Sequence, residues 1–330
     1  MLKAFPWQLS QWQRIQSAHA QGRLAHALLL TGAEGLGLDQ FAYALAEKLL
    51  CTEKTDFDSP CGSCKACILF QAGNHPDLYD IQPEEVGKQI KVDAIRQLIT
   101  NIYVTTQYGE YKLVIINPAE AMNASSANSL LKTLEEPPEN SLFILISSNP
   151  NRLAVTIRSR CQRINFTPGN GEKVKDWLQT KLKAENTDVD SLLIMAQGAP
   201  LKALALFESG ALAQQETLLE DLQSLRMRQS DPIKVAEKWL AQDASQVIRY
   251  LLQFFIVMSR LKLGAPTNNS TIHRHLQRLI KGLDLFQLVH CHQLLLRHHR
   301  GLTGSISLNK QGLLEDFIVH WQSISTPAGG

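Results

Sequence analysis

The stretch that decides the fold is residues 32–39, which read Gly-Ala-Glu-Gly-Leu-Gly-Leu-Asp. An apolar run at residues 27–30 precedes it, and a helical pattern at residues 40–50 follows it. Strand, glycine-rich turn and helix form the setting of a phosphate-binding loop, in which backbone N–H groups and a helix N-terminus surround phosphate oxygens. The stretch therefore predicts the first unit of a nucleotide-type α/β fold.

The side chains that a phosphate loop uses for chemistry are missing from this stretch. Gly32, Gly35 and Gly37 stand at the positions that the loop needs. Leu38, however, takes the place of the phosphate-binding lysine, and Asp39 takes the place of the Ser or Thr that binds magnesium. Leucine supplies no positive charge, and a carboxylate at a helix N-terminus repels phosphate. We therefore expect no functional ATP site here.

The second nucleotide element is degenerate as well. The apolar strand at residues 112–116 should end in an Asp that holds magnesium and a Glu that polarises water, but Asn117 and Pro118 follow it. Asparagine binds magnesium weakly, and proline can do no acid–base work. The alternative is that both elements are ordinary strand–helix turns, unrelated to a phosphate loop. Their order along the chain favours an ATPase fold that has lost its catalytic machinery.

Composition and charge narrow the class of protein. The chain of 330 residues is 44% hydrophobic and 19% charged, as in ordinary globular proteins, and its formal net charge is +2. This charge gives no overall attraction to nucleic acid or membranes. The longest apolar run, residues 247–263, is interrupted by charged side chains, and residues 1–7 lack a signal-peptide core. We expect a cytoplasmic chain without membrane contact.

Strand and helix signals alternate through about the first 165 residues and then give way to helical patterns alone. The alternation predicts a parallel sheet flanked by helices, with its site at the carboxyl ends of the strands. Three domains are expected: an α/β domain at residues 1–167 that contains a cysteine-rich insert at 51–67, a small helical domain at 168–209, and an all-α domain at 210–330.

Four of the six cysteines are clustered as Cys51-x9-Cys61-x2-Cys64-x2-Cys67, and the last three of them form two overlapping Cys-x2-Cys pairs. Four thiolates at this spacing are typical of a closed tetrahedral zinc site that orders a loop with little apolar core. An iron–sulfur cluster is an alternative, although the usual fourth cysteine is replaced by Gln71. Free thiols are another. His75 is a nearby ligand candidate, but we interpret it as a loop histidine. The prediction is structural zinc.

Two further groups of residues have competing interpretations. Arg158-Ser159-Arg160-Cys161 is either a solvated basic turn or the source of a guanidinium that reaches a neighbour's nucleotide, and spacing alone does not decide. The histidines at positions 290, 292, 298 and 299 suggest a metal site. Since no companion set of carboxylate or cysteine ligands is placed with them, we expect a neutral surface helix instead.

Several of these features occur together in one order. They are the degenerate loop, the four-cysteine insert, Leu-Leu-Lys-Thr-Leu-Glu-Glu-Pro-Pro at residues 130–138, and Ser-Arg-Cys at residues 159–161. In this order the chain resembles the clamp-loader subunits of bacterial DNA polymerase III, which are AAA+ proteins. The resemblance is strong over residues 1 to about 210 and rests on length and pattern beyond.

The resemblance implies a non-hydrolysing subunit of a DNA-directed DNA polymerase (nucleotidyltransferase) holoenzyme. Its partners would be delta and three ATP-binding tau/gamma subunits, in a pentamer that loads the sliding beta clamp onto primed DNA. The family's arginine finger carries over to Arg160, with Arg158 the lesser candidate. The zinc ligands carry over to the four clustered cysteines. Residues 168–209 would be the lid, and residues 210–330 would be the collar.

The lid's sensor motif departs from the family pattern. ATP-binding relatives have Gly-Ser-x-Arg, whereas residues 198–201 here read Gly-Ala-Pro-Leu, and Lys202 comes one residue too late. The resemblance therefore implies no nucleotide sensing at this position.

Two other functions stay open at this point. An autonomous ATPase with a nonstandard phosphate site would bind ATP tightly and hydrolyse it with magnesium. A stand-alone zinc protein that binds nucleic acid would show salt-sensitive affinity for DNA without partners, against which the near-neutral charge argues.

Overall fold

A computed structural model describes residues 4–53, 59–85, 87–168, 171–182, 187–265, 270–303 and 309–324. Parts of the predicted insert, lid and collar ranges lie outside these residues. The chain divides into two compact units, Met1–Trp177 with Ala199–Lys202, and Leu178–Gly198 with Ala203–Gly330. Each unit is described by itself.

The first unit is built on a five-stranded sheet. Its strands are β1 (Ala27–Thr31), β2 (Leu78–Ile81), β3 (Lys112–Ile116), β4 (Ser141–Ser147) and β5 (Gln162–Asn165). Every neighbouring pair is parallel, in the order β2-β3-β4-β1-β5. The predicted parallel α/β sheet is confirmed.

Helices cover both faces of this sheet. They are α1 (Leu9–Ala20), α2 (Leu38–Leu50), α3 (Lys65–Gln71), α4 (Val92–Ile102), α5 (Ala124–Glu135) and α6 (Val155–Arg158). Along β1, Leu28 and Leu30 face a core shared with α1 and α2, whereas Leu29 faces a core shared with α4 and α5. Because successive strand residues point to opposite faces, a strand buried on both sides is apolar throughout.

One buried charge fixes the end of α4. Lys112, at the start of β3, is only 4% exposed. Its ammonium donates to the carbonyl oxygens of Asn101 at 3.2 Å, Ile102 at 3.1 Å, and Val104. These carbonyls belong to the last turn of the helix and the residues after it, where backbone acceptors lack helical partners. The pKa of Lys112 is lowered by its burial.

Helices continue beyond the sheet: α7 (Glu172–Leu182), α8 (Val189–Met195), α9 (Pro200–Glu208), α10 (Ala211–Arg226), α11 (Pro232–Leu240), α12 (Ala244–Lys262), α13 (Thr271–Leu279), α14 (Leu285–Thr303) and α15 (Lys310–Ile324). In the second unit, α10 to α15 enclose one core that contains the fully buried Trp239 and Trp321. Asp188 connects α8 to α13, since its carboxylate accepts from the N–H of Ser191 and of Thr271. The predicted helical C-terminal domain is confirmed.

The prediction of a neutral surface helix is wrong for one of the four histidines. His298 is 7% exposed, and its Nε2 lies 2.9 Å from a carboxylate oxygen of Asp316 on α15. The sequence could not place this carboxylate, because a separate helix brings it to the site. Burial lowers the pKa of His298, and the nearby Asp316 opposes that shift.

None of the helices in the described ranges is long and apolar enough by itself to cross a membrane. One bent pair, Val189–Met195 with Pro200–Glu208, meets such a test by combined length and composition only.

Candidate functional sites

The phosphate loop connects β1 to α2. The helix begins at Leu38, two residues earlier than the sequence pattern predicts, and Gly37 precedes it in the left-handed region with φ 75°. The Leu38 side chain is 6% exposed and packs in the core with Phe41. Asp39 lies in the first turn of α2. The structure thus places a buried apolar side chain and a carboxylate where phosphate and magnesium would be bound.

The start of α9 packs directly on this loop, within the first unit. The N–H of Leu201 donates to the carbonyl of Gly35 at 3.0 Å. A Cβ added to Gly35 would lie 2.7 Å from the Cβ of Lys202, and its φ is +82°, so only glycine fits. No group can lie between the loop and the helix at this contact. The sensor segment therefore serves as packing for the loop.

The N-terminal segment closes the loop from a second direction. Trp7 donates through Nε1 to the carbonyl of Leu36 at 2.9 Å, and Gln8 donates through Nε2 to the carbonyls of Leu36 and Gly37 at 2.8 and 2.7 Å. The Phe5 ring lies 2.7 Å from a Cβ built on Gly37. These contacts fix the conformation of the loop against the N-terminal segment.

The degenerate acidic pair follows β3 at the same carboxyl edge of the sheet. Asn117 and Pro118 stand there, and the nearby carboxylate is that of Glu120. One Glu120 oxygen accepts from the N–H of Ser148 at 3.1 Å and of Asn149 at 3.0 Å. Sequence analysis assigned Glu120 no role. Through this oxygen Glu120 orders the backbone after β4.

Arg160 lies near the amino ends of the strands, on the opposite side of the sheet from the phosphate loop. It precedes β5, and Gln162 of that strand pairs with Leu28 in parallel register, whereas the phosphate loop follows β1 after Thr31. At about 3.3 Å per strand residue, the Arg160 backbone lies roughly 20 Å from the loop of its own chain. The Arg160 guanidinium therefore lies well away from the phosphate loop of its own chain.

The Ser-Arg-Cys motif has a different task for each residue. Arg160 donates from Nε to the Glu135 carboxylate at 2.9 Å and from Nη1 to the carbonyl of Thr156 at 2.9 Å. Ser159 accepts from Nη1 at 3.4 Å. Cys161 packs against the core under α5, and burial raises the pKa of its thiol to about 12. Glu135 is a partner of Arg160 that sequence analysis missed.

The four predicted ligands of the metal centre come together. The sulfurs of Cys51, Cys61, Cys64 and Cys67 all lie within 4.8 Å of one another. The sulfurs of Cys61 and Cys67 are 3.9 Å apart, close to the separation of about 3.8 Å that a tetrahedron with Zn–S bonds of about 2.3 Å requires. Backbone N–H groups also donate to three of the sulfurs, at 3.3–3.4 Å.

Electrostatics favours a cation in this cluster. Hydrogen bonds from the backbone of Cys64 and Ser63 lower the pKa of the Cys61 thiol. Burial acts to raise the pKa of Cys64, but hydrogen bonds from Thr52 and the Cys67 N–H outweigh it and lower the pKa to about 6. Burial raises the pKa of both other thiols. Four sulfurs this close can all be thiolates only with a positive charge among them, so the residues present fit a metal ion.

Two residues near the cysteine cluster, Gln71 and His75, make hydrogen bonds to other residues. Gln71, at the position of a fourth iron–sulfur cysteine, donates to Glu47 of α2 at 3.1 Å. His75 accepts the N–H of Asp77 through Nδ1 at 3.1 Å. Neither joins the four-cysteine group.

Strand order β2-β3-β4-β1-β5, helices on both faces and a glycine-rich loop after β1 define the first unit as an AAA+ module, and the second unit is helical. Comparisons with known proteins then identify the family. Residues 7–170 match the family described as DNA polymerase III, delta subunit, and residues 209–323 match DNA polymerase III, delta subunit, C terminal.

Individual proteins similar to this chain include two subunits of DNA polymerase III. DNA polymerase III subunit delta′ of Pseudomonas aeruginosa is 32% identical over 332 residues, covering 99% of this chain and 100% of the relative. The tau subunit of Escherichia coli is 34% identical over 165 residues, 50% of this chain and 25% of the relative. A gamma subunit-related protein from Thermotoga maritima has a TM-score of 0.47 at 19% identity, covering 97% of this chain and 100% of that one. The chain belongs to the DNA polymerase III subunit delta′ family.

Proposed function

We propose that this chain is a clamp-loader subunit that completes the ATP site of a neighbour and hydrolyses no ATP itself. In the proposed complex it joins delta and three ATP-binding tau/gamma subunits in a pentamer. That complex opens the sliding beta clamp and closes it around primed DNA. The chain's own contribution is the Arg160 guanidinium, presented to ATP on the adjacent subunit.

The observation that carries this proposal is the position of Arg160. Its side chain is 32% exposed, and it lies at the sheet edge opposite its own phosphate loop. A rigid planar cation in this position can stabilise the charge that develops on a transferring phosphoryl group, which is how an arginine finger works in trans. Val155, on the short helix α6 that precedes Arg160, is 68% exposed and gives the surrounding surface an apolar contact for a partner.

Zinc is proposed for the four-cysteine cluster, in a structural role. Cys51, Cys61, Cys64 and Cys67 would be its ligands, with no open position for chemistry. The ion would order the chain between α2 and α3. Arg158 stays the lesser candidate for the finger: its Nε is buried and has no hydrogen-bond partner among the described residues.

The domain roles follow the same proposal. Residues 1–167 would be the AAA+ domain, 168–209 the lid and 210–330 the collar that holds the ring together, in a cytoplasmic replication complex. The lid would sense no nucleotide, because Leu201 and Lys202 pack on the phosphate loop.

A reconstitution assay tests the proposal. The isolated chain is expected to show no magnesium-dependent ATP hydrolysis above background and ATP binding weaker than about 1 mM, since it lacks the lysine, the hydroxyl and the acidic pair. Added to delta and tau/gamma, the same chain should raise ATP hydrolysis stimulated by clamp and primed DNA. Tight ATP binding with turnover by the isolated chain would favour the autonomous ATPase instead.

A further inference from the structure

We propose that Glu135 is a positioning residue for Arg160, which fixes the plane of the guanidinium so that its remaining N–H points at a phosphate oxygen held by the neighbouring subunit. This inference rests on the proposed function of Arg160. It assigns a role to a second motif, since Glu135 belongs to the Leu-Glu-Glu-Pro-Pro run, which lies 25 residues away in sequence.

Hydrogen bonds hold the guanidinium along two of its edges. Nε and Nη2 both donate to Oε1 of Glu135, and Nη1 donates to the carbonyl of Thr156 and the hydroxyl of Ser159. A guanidinium has five N–H groups. These bonds use four of them, and one N–H on Nη2 has no acceptor in the part of the chain that the structure describes. The planar group is thereby fixed in orientation while one donor stays available to an acceptor outside the chain.

The position of Glu135 is itself fixed by the backbone. It is the last residue of α5. Glu136 occupies the C-cap position, and Pro137 and Pro138 follow. Proline cannot continue a helix, so the end of α5 is set at this point. A carboxylate at a helix C-terminus is unfavourable because of the helix dipole. The Arg160 cation offsets that cost, which links the end of α5 to the turn after α6.

The pair is accessible to a partner. The Arg160 side chain is 32% exposed and the Glu135 side chain 49% exposed. An arginine free to sample its rotamers in solvent would have to be ordered in every transition state. Because Glu135 orders it beforehand, the finger enters the neighbouring site already in place, and a misplacement of about 1 Å can cost about 10²-fold in rate. Glu135 therefore acts through Arg160 and needs no contact with nucleotide.

The test uses the reconstituted complex and the single-turnover rate constant of the ATP site that faces this chain. Glu135→Ala is expected to lower that rate constant about 10-fold with the KM for ATP unchanged, because ATP binding belongs to the neighbour. Glu135→Gln keeps an acceptor for Nε and Nη2 and should stay within about threefold of the wild-type rate. The matched control is Glu136→Ala, which removes the adjacent exposed carboxylate and should change nothing.

A double variant separates positioning from structure. If Glu135 acts through Arg160, Glu135→Ala adds no further loss in a chain that already carries Arg160→Ala. A loss from Glu135→Ala that persists in that background would overturn the inference, as would a wild-type rate for the single variant. If Arg160→Ala itself leaves the rate unchanged, the proposed function of Arg160 is refuted. That outcome is distinct from one that refutes only the positioning role of Glu135.

Discussion

Replacing Arg160 with alanine is expected to slow ATP hydrolysis at the neighbouring site by about 10²-fold or more, the usual cost of losing one preorganised charge from a transition state. The chain should still fold and join the complex. The pair with Glu135 is solvent-exposed, and such pairs contribute about 1 kcal/mol or less to the free energy of unfolding. Single-turnover hydrolysis by the reconstituted complex, with assembly checked by size-exclusion chromatography, measures the effect.

Two further variants define the effect. Arg160→Lys keeps the charge but lacks the planar fork that Glu135 and Thr156 hold, so it should recover little of the rate. Arg152→Ala removes another exposed arginine from the same part of the chain and should leave hydrolysis unchanged. Undiminished hydrolysis and clamp loading by Arg160→Ala would remove the residue from this role.

Removing the proposed zinc is expected to disorder the segment between α2 and α3 while the sheet stays folded. Cys51, Cys61 and Cys64 belong to the described part of that segment, and Cys67 is buried in the first turn of α3. Cys64→Ser, or chelation of the metal, should reduce bound zinc from about one per chain toward zero. Cleavage by protease within the insert should rise about 10-fold or more, because metal binding and folding are coupled in such loops.

The matched control is Cys161→Ser, which changes a cysteine outside the cluster and should keep one zinc. Lower pH should also release the metal, since protons compete for the thiolates. Elemental analysis distinguishes the alternatives. Iron with visible absorbance would indicate an iron–sulfur cluster in place of zinc. A Cys64→Ser chain with full zinc and unchanged protease resistance would refute the assignment of Cys64 as a zinc ligand.

Local patterns made much of the fold predictable from the sequence. The apolar run at residues 112–116 coincides with β3. The four cysteines that the sequence predicts as ligands lie together in the structure. The absence of the lysine and of the acidic pair could be recognised from the residue at each single position. These inferences depend on residues close in sequence, where strand period and ligand spacing act directly.

The features that the sequence did not reveal are contacts between distant segments. Lys112 reads as an ordinary strand residue, yet it is buried and holds the end of α4. Glu135 reads as one of two equivalent acids before two prolines, and only the fold brings it to Arg160. The His298–Asp316 pair likewise requires α14 and α15 to lie side by side. In each case, tertiary packing selects one charged residue from several that look alike in the sequence.

We propose that this chain has given up nucleotide chemistry at its own loop and serves a neighbour through Arg160. A structure of the assembled complex with ADP and aluminium fluoride, an analogue of the phosphoryl-transfer transition state, tests this proposal most directly. We expect no nucleotide at residues 32–39 and the Arg160 guanidinium within about 3 Å of the fluoride group held by the adjacent subunit. Nucleotide bound at Gly32–Asp39, or Arg160 remote from every analogue, would contradict it.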